Sequence, residues 1–174
     1  MTDNKRPAET VWELASSLMY REAYKILREQ YEAEDAVMDA MCRIIKNEEK
    51  FRGLECNEIR ALAVIYVRNT AIDIYQRKQN QPYPIDEDNS PEQRDEFSLS
   101  PEDIVVSNEG AEALYKAVCA LPDAMRDVLL LKYHYEYTNS EIADVLGLVN
   151  GTVRTRISRA RKMLNKVLKG EGIL

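Results

Sequence analysis

The chain has 174 residues, 45% of them hydrophobic and 31% charged, with a formal net charge of −6. That length suits one large domain or two small ones, and no apolar run approaches the roughly 18 residues needed to span a bilayer, so no membrane insertion is expected. Cys42, Cys56 and Cys119 are odd in number and form no C-x-x-C pair, which argues for reduced, buried thiols rather than disulfides or zinc ligands. The opening stretch, MTDNKRPAETVWEL, carries no apolar segment of a secretory signal, so the expected location is the cytoplasm.

The first predicted helix runs from Val11 to about Gln30, with Leu14, Leu18, Ala23, Ile26 and Leu27 at helical spacing, and ends near Tyr31. A second, from about Ala33 to Lys46, repeats Ala36, Val37, Ala40, Met41 and Ile44 on one side and presents Glu34, Asp35, Asp39 and Arg43 on the other. A turn follows at Phe51-Arg52-Gly53. The third segment, Glu55 to Lys78, contains ALAVIYV at 61–67. Val, Ile and Tyr favour strands, but the length and the polar flanks point to a largely buried helix.

Residues 80–99, NQPYPIDEDNSPEQRDEFSL, hold one basic and six acidic side chains and three prolines, with no helical stripe. This is the pattern of an exposed acidic linker, a solvated spacer between domains at 1–79 and 100–174. The overall fold class is therefore all-α, two small helical domains on a tether.

The last segment reads as a helix-turn-helix. Thr138-Asn139-Ser140-Glu141 has the form of a capping box, Ile142, Ala143, Val145 and Leu146 supply an apolar face, and Gly147 suits a left-handed helix end. Val153, Ile157, Ala160, Leu164 and Leu168 then form a second stripe. From Asn150 to Lys169 there are seven basic residues and no acidic one. Arg154, Thr155, Ser158, Arg159, Arg161 and Lys162 project away from the apolar stripe, which equips this helix for base edges and phosphates in a major groove. No glycine-rich phosphate loop, metal-spaced cluster or Ser/His/Asp arrangement occurs, so neither an enzyme nor a cofactor nor a metal is expected. His134, among Tyr133, Tyr135 and Tyr137, reads as a packing or surface residue. Two functions fit these features: a stand-alone regulator that binds a palindrome as a dimer, and a DNA reader that works with a larger machine.

Four motifs favour the second. AEDAVMD at 33–39, RNTAID at 68–73, LPDAMRDVLLLKY at 121–133 and GTVRTRISRAR at 151–161 follow one another in order. In this the chain resembles the extracytoplasmic-function (ECF) group of sigma-70 family RNA polymerase sigma factors, over about Trp12 to Leu168. The resemblance implies promoter-specific transcription initiation, with core RNA polymerase (its beta-prime clamp helices and beta flap) and promoter DNA as partners. It further implies an anti-sigma factor, an inhibitory partner common in the family.

By the same resemblance, Glu34, Asp35, Met38, Asp39 and Arg43 are the polymerase-binding positions of the second helix. Asn69 captures a flipped base of the minus-10 element, with Asp73 one turn on, and Arg68, Arg77 and Lys78 hold phosphates of the opened strand. Arg154, Thr155, Ser158 and Arg159 face bases or backbone of the minus-35 element, and Arg156, Arg161 and Lys162 its phosphates. The chain departs from the family pattern at Leu62, where tryptophan is usual, and at Val149, where serine or proline is usual. Asn150 is then expected to cap the last helix and to shift its start by one residue.

Overall fold

Seven α-helices account for most of the residues that the computed structural model describes, 5–80 and 109–170. The expected linker, apart from Asn80, and the first residues of the second domain lie outside them. Pro7 opens α1 (Pro7–Leu27), where its fixed φ suits a first helical turn and its missing amide costs nothing. Arg28 ends the helix in the left-handed region at φ 57°, and its amide donates to the Tyr24 carbonyl at 2.9 Å. One residue later the Glu29 carboxylate accepts from the amides of Tyr31 and Glu32, capping α2 (Gln30–Lys46). Helix 1 therefore stops three residues earlier, and helix 2 starts three earlier, than periodicity suggests. A left-handed arginine carries no sequence signal of the kind glycine gives.

A short 3-10 turn, Glu48–Phe51, buries Phe51 beside Tyr66, and Gly53 at φ 75° supplies the turn that redirects the chain. Helix α3 (Cys56–Asn80) follows, and its ALAVIYV run is buried apart from the partly exposed Tyr66, as a helix packed on several sides must be. Val11, Ala15, Met19 and Ala23 of α1 and Ala33, Ala36, Ala40 and Ile44 of α2 close the first bundle around it. Glu22 is buried in that bundle. Its carboxylate accepts from Arg68 at 2.7 Å and Lys25 at 3.3 Å. Burial alone would push this carboxyl up, but the two cations together hold it below the ordinary range.

The second bundle consists of α4 (Glu109–Cys119), α5 (Asp123–Tyr133), α6 (Asn139–Leu146) and α7 (Asn150–Gly170). Arg126, buried at the α4–α5 corner, donates to the Cys119 carbonyl at 2.6 Å and to Asp123. Both halves of the capping box at Thr138 and Glu141 are present. Gly147 sits at φ 63°, and the Leu148 amide reaches back to the Ala143 carbonyl at 2.8 Å, a Schellman ending. Ile142 and Val153 are fully buried, and removing such side chains from water stabilises the fold by roughly 1.5–3 kcal/mol each.

The two bundles are in contact. One apolar cluster runs from Val11 through α3 to Val128, Ile142, Val145 and Ile157, with α5 and α6 lying against α3. Two cysteine expectations are corrected here: Cys119 is buried, but Cys42 and Cys56 are exposed, Cys42 because it stands on the outer side of α2, away from the inward Met41 and Ile44.

Candidate nucleic-acid interface

Helix α7 shows how its sequence separates two faces. Val153, Ile157, Ala160 and Leu168 are buried against α4, α5 and α6, with Leu164 half-buried beside them. Arg154, Thr155, Ser158, Arg159, Arg161 and Lys162 are all exposed, while Arg156 is partly covered. The first helical residue is Asn150. The amides of Thr152 and Val153 donate to the Val149 carbonyl, so Val149 and not Asn150 occupies the capping position. That corrects the expected shift of the helix start, and valine has no side-chain acceptor to offer the first turn.

The Thr155 hydroxyl donates to the Gly151 carbonyl at 2.9 Å, which fixes the side chain and leaves its methyl and oxygen lone pairs on the surface. Arg161 lies over the Tyr133 ring, 5.4 Å from its centroid, and donates to the tyrosine oxygen. A shallow cleft of about 400 Å³ runs beside these groups, lined by Lys132, Asn139, Arg154, Ile157, Ser158, Arg161, Lys162 and Asn165. It has four cations, two amides and no carboxylate, a lining suited to a phosphodiester backbone. Gly151 adds to this. A Cβ there would meet nothing within the protein, so glycine's cost in a helix has no return in internal packing.

The expected minus-10 residues are placed differently. Asn69 Nδ2 donates to Asp127 Oδ1 of α5 at 2.9 Å, and Asp73 pairs with Arg43 of α2 at 3.3 Å. Arg68 is bound to the buried Glu22, and Lys78 pairs with Glu32. Arg77 is exposed. Burial pushes the Asp127 carboxyl up to about 6 and nearby Asp123 adds to this, while the Asn69 amide, Arg126 and Arg156 act the other way.

On α2, Glu34, Asp35, Met38 and Asp39 are exposed as expected, and Gln30 donates to Glu34 at 3.0 Å. Two neighbours escaped the sequence reading. Tyr31 and Ile45 are exposed with Met38 between them, at 75%, 55% and 58% of their full surface, and the spacing of seven puts all three on one stripe of the helix. An outward heptad of large apolar residues could have been found from the sequence, because the inward face was already complete without it. Such a stripe fits a partner helix or coiled coil.

The family described as Sigma-70 region 2 matches residues 12–81, and Sigma-70, region 4 matches residues 111–164. The ECF RNA polymerase sigma factor SigW of Bacillus subtilis is 32% identical over 158 residues, 87% of this chain and 83% of that protein. SigX of the same organism is 24% identical, over 85% of this chain and 76% of its own length. SigL of Mycobacterium tuberculosis is 25% identical, over 91% and 86%. Among solved structures, the sigma factor RpoE of Bartonella quintana, in complex with the anti-sigma factor NepR, is similar at TM-score 0.44 and 20% identity, covering 91% of this chain and 94% of that one.

Proposed function

This chain belongs to the extracytoplasmic-function group of sigma-70 RNA polymerase sigma factors, and from that premise we propose how its helices divide the work of promoter-specific initiation. The protein is a transcription initiation factor whose partners are core RNA polymerase and promoter DNA. It acts in the cytoplasm and by binding alone. Helix α7 enters the major groove of the minus-35 element, with Arg154, Thr155, Ser158 and Arg159 towards the base edges and Arg156, Arg161 and Lys162 towards phosphates. Helix α2 docks on polymerase through Tyr31, Met38 and Ile45, and Glu34, Asp35 and Asp39 orient it on the partner.

Asn69 of α3 takes the flipped base of the minus-10 element, since an amide can both donate to and accept from a base edge. Arg77 meets the opened strand. Arg68, bound to Glu22, holds the fold of the bundle, and Asp73 with Arg43 pins α3 to α2. Each DNA contact is weak alone, and tethering both to one polymerase multiplies them through effective concentration.

The observation that carries this reading is the cationic side of α7, seven basic residues, six of them exposed, and no acid, in a chain of net charge −6. The test is run-off transcription on genomic fragments with core polymerase, with and without the protein. Discrete transcripts that require both components are the expected result. A protein that shifts duplex DNA equally well without polymerase and yields no such transcripts is instead a stand-alone regulator.

A further inference from the structure

Apart from the cleft beside the α7 arginines, a cavity of about 530 Å³ opens between α3, α4, α5 and α7. Its walls are mostly apolar, with Ile65 and Ile72 from α3, Leu114 and Val118 from α4, and Leu129 and Leu130 from α5. None of these six is assigned to DNA or to polymerase. The volume falls within the range of about 300–1,000 Å³ typical of small-molecule sites. Three guanidinium groups join the apolar walls, against one carboxylate. Arg68 is paired with Glu22 and Arg126 with Asp123. The carboxylate, Asp127, accepts from Asn69 and has Arg126 and Arg156 near enough to offset its charge. Arg161 has neutral company only, the Tyr133 oxygen and ring. Among the described residues, then, the lining holds one cation without a counter-charge, and one buried donor, Arg126 Nε, without an acceptor.

From this lining we propose that the cleft is a binding site for a small amphipathic carboxylate, a monoanion with an apolar tail whose head group pairs with Arg161. The tail gains by leaving water against the leucine and isoleucine walls. A carboxylate suits the head, because its two oxygens match the guanidinium fork and the bond is charge-assisted. A neutral ligand leaves that cation unpaired, a cationic one is repelled by it, and a dianion exceeds the single free charge. Arg161 also lines the α7 cleft assigned to DNA phosphates, so ligand and phosphate compete for one guanidinium. Occupancy of the apolar cleft therefore weakens promoter contact. The site itself is independent of the sigma-factor reading, and only this coupling rests on it.

Isothermal titration calorimetry of the full chain with decanoate, kept below its micelle concentration, tests the site. One decanoate should bind per chain, about tenfold more tightly than decanol, which has the same tail without the charge. Arg161→Gln should bring decanoate down to the affinity of decanol. Leu114→Asp places a like charge at an exposed position, where loss of fold is not a concern, and should weaken decanoate by about tenfold or more. Equal affinity for the two probes, or no binding of either, would overturn the site. So would tighter binding of a peptide of residues 91–99, whose acids and Phe97 also suit the lining, or a dimer of the chain that decanoate dissociates. The coupling is read by run-off transcription with core polymerase: decanoate should lower the yield from the wild type and leave Leu114→Asp unaffected. Equal inhibition of both, or of neither, would overturn the coupling, while calorimetry would still decide the site.

Discussion

Helices α3 and α7 both carry residues assigned to DNA, yet they present them in opposite ways. On α7 the reading face is bare: its arginines project from a helix whose other side is buried, and among the described residues no carboxylate pairs with them. On α3 four of the five assigned side chains already have partners inside the protein. The difference fits the targets. A duplex groove can be entered by a rigid, preformed rod, whereas the α3 side chains also hold helices of the folded chain together.

The largest expected effect sharpens that contrast on α7. Arg154→Ala/Arg159→Ala removes two base-directed contacts worth about 1–3 kcal/mol each, so transcription from a cognate promoter should fall by about 100-fold or more. Run-off yield measures it, and both residues are exposed, so melting should be unchanged.

A second comparison sets Arg68 against Arg77. Arg68→Ala leaves the buried Glu22 carboxylate with Lys25 alone and should cost about 3 kcal/mol in denaturant unfolding. Arg77→Ala, at an exposed position, should leave stability within about 0.5 kcal/mol and lower only strand binding. Equal destabilisation by the two would break the division drawn between them.

The Asp127 pair adds a pH signature to the α3 side. Its carboxyl faces Asn69 of α3, Asp123 and Arg126 of α5 and Arg156 of α7, and is raised from an ordinary value of 3.8 to about 6. The buried site in the folded chain thus favours the neutral acid. Its contribution, on the order of 2–3 kcal/mol, is fully present below pH 4 and drains away as pH rises through about 6. Denaturant unfolding should find a more stable protein at pH 5 than at pH 8. Asp127→Asn, which stays neutral throughout, should flatten that dependence.

The smallest effect returns to α7. Gly151→Ala should raise stability by about 0.5–1 kcal/mol, since a methyl group there meets nothing and helices favour alanine. If the position is kept open for a DNA backbone, the same variant should bind promoter DNA less well with polymerase. A gain in stability with no loss of binding would leave the glycine without a role in DNA contact.

Much of the fold was legible because its signals are local. The capping box at Thr138, the left-handed Gly147 and the buried stripe of α7 each follow from residues within one or two turns, and the strand-like ALAVIYV is a helix because it is enclosed on several sides. Non-local chemistry was not legible. Nothing near Asn69 in sequence announces Asp127, 58 positions on, and nothing near Arg68 announces Glu22, 46 positions back. A lone cysteine such as Cys42 gives no pattern from which exposure could be judged. The division of the chain at a linker over 80–99 stays a proposal, supported by its proline and acid content.

The most direct measurement is a paired assay with core polymerase: co-migration on a native gel and run-off transcription from the same mixture, for the wild type, Arg154→Ala/Arg159→Ala and Met38→Asp/Ile45→Asp. The account predicts that the arginine variant still joins polymerase but no longer selects a start site, while the α2 variant fails to join at all. Normal transcript patterns from the arginine variant would contradict the claim that α7 chooses the promoter.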